Sequence, residues 1–346
     1  MIMFAMKHSC FGGVSAVKFV QQFLNNINEI ASGVNNAEKD VTSFDLWPSA
    51  HDLVTQRRVG HLLFRIIVHY SGLRPVLEFI LGQMISYTLR RKAINPYYQR
   101  HPPLKLDEIP YDSLQRTDTM TFSEKETKSI IKACRDNRCT VTGAILAAIH
   151  LAFYQLTGDK YSKFSLETAI PFHNRPYCQP KAPYEYIGLF AYFSNYYLKY
   201  SQNIREDFWM MAKESTSQLK DIVENQKFVK EISLLSALSP ILLVRSNCTK
   251  SAYLTSSSNV VSSFGRFSFE DLHVSNSMTY KLKNCYIFPF SPGVNSVFGH
   301  FLYTINGKLT WNIVSDKTLP DAHAQYFIDL CSQILLTNCS TNSTVV

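Results

Sequence analysis

The most constraining feature of the sequence is the stretch GAILAAIHLAFYQL at residues 143–156. It is so rich in alanine and leucine that a helix formed here must be buried nearly all round. Just before it, Ser123 and Glu126 form a capping box that predicts a helix to about Asn137. No run in the chain reaches the ~18–20 apolar residues of a spanning helix. The stretch therefore predicts the core of a folded globular protein.

Around this core, predicted strands and helices follow one another without regular β–α alternation. Such an order predicts an α/β fold in which helices flank a mixed sheet. Within residues 301–314 the pair Asn306-Gly307 is the favoured centre of a type I′ hairpin turn. The predicted strands are 2–6, 163–172, 187–200, 259–264 and the two of the hairpin, and the further helices are 14–31, 205–226, 234–245 and 319–336.

Three segments have weaker patterns. Residues 32–58 are polar and mixed, which is typical of a linker, and the proline-rich residues 93–116 favour an extended crossover. Residues 59–87 predict two amphipathic helices broken at Arg74-Pro75. These helices can pack on the protein's own core, or residues 59–92 can make peripheral contact with a membrane. The first residues lack the apolar length of a signal peptide, so we expect a cytoplasmic protein.

The composition bears on partners and on metals. A net charge of +8 suits an anionic ligand such as a phosphorylated cofactor, but the charges are dispersed, which argues against nucleic-acid binding. The eight cysteines form no C-x-x-C pair and no zinc-like spacing. We therefore expect no metal site and scattered thiols in a reducing compartment.

Four segments, taken in order, carry a family resemblance. They resemble motifs of the CoA-dependent acyltransferases, which have the chloramphenicol-acetyltransferase fold, in the branch of condensation domains and alcohol O-acetyltransferases. The segments are MIMFAMKHSCFGGVSAVKFVQQFL (1–24), CRDNRCTVTGAILAAIHLAF (134–153), FSLETAIPFHNRPY with YEYIGLF (164–177 and 184–190) and SSNVVSSFGRF (257–267).

The first segment aligns with the family motif H-H-x-x-x-D-G. Lys7 takes the place of the first histidine, His8 the second, Gly12 the aspartate and Gly13 the glycine. The resemblance implies that His8 is a general base that removes a proton from the acceptor as it attacks a thioester carbonyl. Neighbouring Lys7 would favour a neutral His8 through like-charge repulsion.

The third segment poses a structural question. The resemblance implies that Arg175 pairs with the motif aspartate, which Gly12 replaces here. A buried guanidinium without a partner is costly. Arg175 must therefore find another acceptor, lie exposed, or mark a site that has decayed.

The resemblance also implies a substrate tunnel. Asn174, Ser262, Ser263 and Gly265 are the candidate lining residues, although a tight strand crossing would explain the last three equally well. We interpret His173 as a strand-end residue rather than a second base, and His150 as a core histidine. The Phe/Tyr cluster at 186–200 is read first as core and second as an acyl pocket.

The resemblance implies an N-terminally truncated member of the family. Residues 1–116 would be the remnant of an N-terminal subdomain that is largely missing, and residues 117–346 a complete C-terminal subdomain. The activity implied is transfer of an acyl group from an acyl-coenzyme A co-substrate to a small alcohol, without a metal. Two alternatives stay open: a non-catalytic binding or scaffold module, and an amide-forming condensation domain that needs carrier proteins. The oligomeric state is not indicated.

Overall fold

The structure is a computed structural model. The main segments that it describes are residues 2–8, 10–33, 46–55, 116–157, 166–183, 186–198, 207–227, 257–269, 280–287, 296–316 and 319–340. It also describes residue 229 and single positions or pairs between 66 and 102.

A six-stranded mixed sheet organises the fold, in the order β1–β6–β5–β4–β2–β3. The three central strands, β5, β4 and β2, are parallel to one another. The outer pairs β1–β6, β6–β5 and β2–β3 are antiparallel. The prediction of a mixed sheet is confirmed. The strands are β1 (Arg116–Thr121), β2 (Leu166–His173), β3 (Ala191–Leu198), β4 (Ser257–Phe267), β5 (Ser296–Ile305) and β6 (Lys308–Ser315).

The β5–β6 hairpin turns where the sequence predicts. Asn306 and Gly307 have φ angles of 47° and 79°, and both lie in the left-handed region. A type I′ turn requires positive φ at both central positions, which asparagine and glycine adopt at low cost.

Helices cover the sheet. They are α1 (Gly13–Ala31), α2 (Ala50–Thr55), α3 (Glu124–Asp136), α4 (Val141–Thr157), α5 (Phe208–Glu224) and α6 (Asp321–Cys339). Helix α3 begins at the predicted capping box: Ser123 Oγ accepts from the Glu126 amide, and the Glu126 carboxylate accepts from the Ser123 amide at 2.8 Å. The predicted helices at 14–31, 205–226 and 319–336 are confirmed as α1, α5 and α6.

Helix α4 lies at the centre of the main core, as its sequence demands. Every side chain from 144 to 149 is fully buried. The helix packs on α5 and α6. Phe153 of α4 packs edge-on against Phe298 of β5 and Phe327 of α6, and those two rings stack with centroids 4.0 Å apart. The prediction of an all-round buried helix is confirmed.

Beside this core, a buried polar chain crosses the sheet. Trp311 Nε1 donates to His300 Nδ1 at 3.2 Å, so the other ring nitrogen of His300 carries the proton and donates to Asn259 Oδ1 at 3.1 Å. His150 of α4 lies 3.4 Å from the Thr168 hydroxyl. Burial lowers the pKa of both histidines to about 3. His150 is therefore a core histidine, as predicted.

The N-terminal segment differs from the prediction. Residues 2–6 were expected to form a buried strand, but they have no strand assignment, and Ile2 and Met3 are 64% and 84% exposed. Phe4 instead packs edge-on against Phe19 and Phe23 of α1, with centroids 5.2 and 4.9 Å away. Phe4 therefore packs on a helix and not in the sheet, and the strand prediction is wrong.

The predicted linker at 32–58 contains structure. Residues 46–49 have no regular secondary structure and lead into α2, whose Leu53 and Val54 are buried in a second core cluster with Ile170 and Phe172 of β2. A linker interpretation is therefore wrong for residues 46–55.

Other predictions fall outside the described residues. These are the strand residues 163–165, most of the amphipathic pair at 59–92, most of the crossover at 93–116 and the helix at 234–245. They stay predictions, as does the division into subdomains at residue 116. Among the described helices, no single one is long and apolar enough to cross a bilayer; α3 and α4 reach that size only as a pair bent by 93°.

Gly143 marks the closest approach of α4 to α5. A Cβ atom built at Gly143 would lie 2.7 Å from the Ala212 carbonyl oxygen and would also overlap Thr216 Oγ1. Thr216 Oγ1 in turn accepts from the Thr140 amide at 3.1 Å, so this contact ties the start of α4 to α5. The glycine is needed for close helix packing.

We expect Gly143→Ala to destabilise the protein by about 1–3 kcal/mol, because overpacking against a backbone carbonyl outweighs the ~1 kcal/mol that alanine gains in helix propensity. Urea unfolding measures the change. Lys213→Ala on the exposed face of α5 is the matched control and should lie within about 0.5 kcal/mol of wild type. A Gly143→Ala protein as stable as wild type would contradict the close approach.

Candidate active site

The motif loop joins residues 2–7 to helix α1 and is fastened to the loop that precedes β3. Gly12 is the N-cap of α1, and its amide donates to the Gly188 carbonyl at 3.1 Å. Ser15 Oγ donates to the same carbonyl at 2.7 Å and accepts from the Gly188 amide at 3.2 Å. Ser15 is 2% exposed, so these bonds are shielded from water.

The other side of the motif loop lies against strand β4. A Cβ atom at Gly13 would overlap the ring of Phe264, so only glycine fits there without moving that ring. Phe264 lies where the β4–β5 register shifts between Ser263 and Gly265, and the φ of Gly265 is 94°. The first, third and fourth family-like segments therefore meet at the motif loop.

His8 lies in the turn of this loop and is exposed. The Cys10 amide donates to the Lys7 carbonyl at 2.9 Å and closes the turn. His8 Nδ1 lies 2.8 Å from the Phe11 carbonyl oxygen. Since a carbonyl oxygen only accepts, Nδ1 carries the proton, and Nε2 keeps its lone pair in the neutral ring. The loop thus holds His8 in the tautomer of a proton acceptor at Nε2. Lys7 beside it is also exposed.

Arg175 finds other acceptors for its hydrogen bonds, which is the first of the three alternatives left open by the sequence. It is 8% exposed and donates to the Pro183 carbonyl at 2.5 Å and the Tyr186 carbonyl at 2.7 Å. Its guanidinium also lies 3.9 Å from the centroid of the Phe190 ring. Two carbonyl oxygens and an aromatic face thus replace the carboxylate partner that Gly12 cannot supply.

Through its bond to the Tyr186 carbonyl, Arg175 holds that residue at the wall of a cavity of about 420 Å³. This size is ordinary for a small-molecule site. The cavity lies beside the motif loop, because Cys10 and Gly188 belong to its wall. The described lining residues are Cys10, Trp47, Pro48, Ser49, Ala50, Asn174 and residues 186–192.

The predicted tunnel residues divide into two groups. Asn174 lines the cavity, whereas Ser262, Ser263 and Gly265 are not among its described lining residues. Ser262 is buried within β4, and Ser263 is exposed and accepts from Thr142 Oγ1 at 3.3 Å. This contact joins β4 to the start of α4, and both the tunnel and the strand-crossing interpretations of these residues stay predictions.

His173 is the last residue of β2, as predicted, and it is exposed. Its Nδ1 lies 3.2 Å from the Phe190 carbonyl oxygen. Partial desolvation and the positive charges of Arg175 and Lys18 lower the pKa of His173. It is a second imidazole near the cavity wall, without being one of the described lining residues.

Sequence reasoning missed the wall formed by residues 47–50. Trp47 packs against Tyr186 with centroids 6.1 Å apart, and its amide donates to the Tyr186 hydroxyl at 3.3 Å. A signal was present: Ser49 Oγ accepts from the Asp52 amide at 3.1 Å, so Ser-x-x-Asp caps helix α2. Across the described ranges, no group of His, Cys, Asp and Glu is arranged to bind a metal ion.

Comparison with solved structures supports the fold. The chain resembles a trichothecene 15-O-acetyltransferase from Fusarium sporotrichioides with a TM-score of 0.60 at 13% identity, covering 95% of this chain and 64% of that one. It resembles the epimerization domain from the third module of tyrocidine synthetase B with a TM-score of 0.55 at 14% identity, covering 96% and 67%. The chain thus spans about two thirds of the length of these two proteins.

A third structure, polyketide synthase associated protein 5 from Mycobacterium tuberculosis, matches with a TM-score of 0.52 at 13% identity, covering 96% of this chain and 72% of that one. No curated protein sequence matches the chain significantly. The family model for alcohol acetyltransferases matches residues 1–308. The fold is that of chloramphenicol acetyltransferase, and the chain belongs to the alcohol acetyltransferase family.

Proposed function

We propose that the protein transfers an acyl group from an acyl-coenzyme A thioester to an alcohol, with His8 as the general base. Membership of the alcohol acetyltransferase family supports acyl transfer. One observation carries the choice of base: the Phe11 carbonyl fixes the proton of His8 on Nδ1 and leaves the Nε2 lone pair available. The loop that holds His8 also contributes Cys10 to the cavity wall.

In the proposed reaction, Nε2 of His8 accepts the hydroxyl proton as the alcohol oxygen attacks the thioester carbonyl. The new carbon–oxygen bond forms, the carbon–sulfur bond breaks, and the proton passes from Nε2 to the departing sulfur. No bond to the enzyme is made. The ester and the free thiol of coenzyme A are the products, and His8 is again neutral.

A specific observation favours a second candidate, a binding module without turnover. The His8 ring is exposed, and it is not among the described residues that line the cavity. A base in open solvent gains less from positioning than one inside an enclosed site. The cavity would then bind a ligand that is not acylated.

An assay of thiol release separates the two candidates. The full chain is incubated with acetyl-coenzyme A and a panel of primary alcohols, and a thiol reagent follows coenzyme A while mass spectrometry follows the ester. We expect alcohol-dependent release with one ester formed per thiol. Release at the rate of protein-free buffer, for every alcohol, would contradict acyl transfer and leave the binding module. Release without alcohol would indicate thioester hydrolysis.

A further inference from the structure

Asn174, one of the residues that line the cavity, is held in place by its main chain. It directly follows β2, its amide donates to the Phe190 carbonyl at 3.0 Å, and its carbonyl accepts from the Tyr177 amide at 2.9 Å. Its neighbour Arg175 is anchored to Pro183 and Tyr186. The main chain of Asn174 is thus held by contacts on both sides, and the residue is one of those that line the cavity.

The carboxamide of Asn174 has an unmet requirement. The residue is 4% exposed, and within the described part of the chain its Oδ1 is buried without a hydrogen-bond partner. Buried polar atoms in native proteins nearly always have a partner, so an exception calls for an explanation. Because χ2 of asparagine is broad, the carboxamide can turn toward a group bound in the cavity.

Among the other described lining residues, most side chains are apolar or aromatic, and Ser49, Tyr186 and Tyr192 carry hydroxyl groups. Trp47, Tyr186 and Phe190 form a connected series, with Tyr186 and Phe190 centroids 6.3 Å apart. No charged side chain is among the described lining residues. The phosphates of coenzyme A would gain no ion pair here, whereas an uncharged molecule with a flat apolar body fits these walls.

We infer that this cavity binds the acceptor alcohol, with the apolar body against Trp47, Tyr186 and Phe190 and a hydroxyl hydrogen-bonded to the carboxamide of Asn174. A hydroxyl donates and accepts, so it complements either orientation of the carboxamide. The identification of the ligand as the acceptor rests on the proposed function. The chemistry of the site, a buried carboxamide beside aromatic side chains, does not depend on that function.

Binding of a matched pair of small probes tests the inference without turnover. Benzyl alcohol and toluene differ by one hydroxyl, and ligand-observed NMR titration gives a Kd for each with the full chain. We expect benzyl alcohol to bind wild type about 3–10-fold more tightly than toluene, which is the effect of one net hydrogen bond. In Asn174→Leu this preference should disappear, through weaker binding of benzyl alcohol rather than tighter binding of toluene alone.

Two further variants locate the site. Trp47→Ala should weaken both probes by a similar factor, because it removes apolar wall and leaves the amide. Asn26→Leu, at an exposed position of α1, should leave both Kd values unchanged. Circular dichroism checks folding, and Asn174→Ala replaces the leucine variant if that protein does not fold.

The outcomes separate this inference from the proposed function. A preference for benzyl alcohol that persists without the Asn174 carboxamide, or no binding of either probe to wild type, overturns the inference even if the enzyme acylates alcohols. An Asn174-dependent preference in a protein that releases no thiol upholds the hydroxyl site and rejects acyl transfer.

Discussion

Replacing His8 with alanine should lower kcat/KM for alcohol-dependent thiol release by about 10²–10⁴-fold, the usual contribution of a general base. This corresponds to roughly 3–5 kcal/mol of transition-state stabilisation. The His8 ring is exposed, and its hydrogen bond goes to the Phe11 carbonyl of the same loop. The free energy of unfolding should therefore change by no more than about 0.5 kcal/mol. Steady-state kinetics and urea unfolding measure the two quantities.

Two other histidines serve as controls for this prediction. His323→Ala removes an exposed histidine of α6 and should leave kcat/KM unchanged. His173→Ala removes the second imidazole near the cavity and should change kcat/KM by less than about 10-fold if His8 is the base. A loss that follows His173 while His8→Ala keeps full activity would transfer the role of base to His173.

The local patterns of the sequence were sufficient for much of the fold. Helix α4 is apolar nearly all round, so it must be buried. Asn306-Gly307, between two strands of alternating pattern, favours one type of hairpin turn. Such signals depend on neighbouring residues in the chain. They therefore predicted α3, α4 and the β5–β6 hairpin with their approximate bounds.

Predictions failed where burial depends on distant partners. Residues 2–6 have the composition of a strand, but Phe4 packs on α1 instead of entering the sheet. Trp47 has no periodic neighbours, and only its contact with Tyr186, far away in the chain, makes it a cavity wall. Neither contact can be predicted from the spacing of apolar residues along the sequence.

The candidate site shows the same division. Resemblance to the family motif located His8 and the Gly12-Gly13 turn, because these residues are close together in the chain. It could not decide the partner of Arg175, because the replacement acceptors are main-chain carbonyls, which any residue can supply. It also left Asn174, Ser262, Ser263 and Gly265 together as tunnel residues, and of these Asn174 is among the described residues that line the cavity.

The second large effect that we expect is a loss of stability on mild acidification. The folded-state pKa values of His150 and His300 are lowered to about 3 by burial, whereas histidine in an unfolded chain titrates near 6.5. Between these values the unfolded chain binds protons that the folded chain does not. Stability is therefore complete above the unfolded value and falls as the pH drops, by about 1.4 kcal/mol per pH unit for each histidine.

The free energy of unfolding, measured in urea, should thus fall by roughly 2 kcal/mol between pH 6 and pH 5, which is large against the ~5–15 kcal/mol of a typical domain. Carboxylates with lowered pKa values, such as Glu126 and Asp221, lose their contribution only at lower pH, so this window isolates the histidines. The lowered pKa of His173 also reduces stability as the pH falls, but this residue is exposed and its contribution is small.

His300→Gln tests the source of the pH dependence. The glutamine carboxamide can accept from Trp311 Nε1 and donate to Asn259 Oδ1, as the neutral imidazole does, but it does not titrate. We expect a less stable protein at pH 7 whose pH slope is about half that of wild type. An unchanged slope would mean that protons bind elsewhere. A slope near zero would mean that His150 and His300 titrate as one coupled unit, so that removing His300 also returns the folded-state pKa of His150 toward its unfolded value.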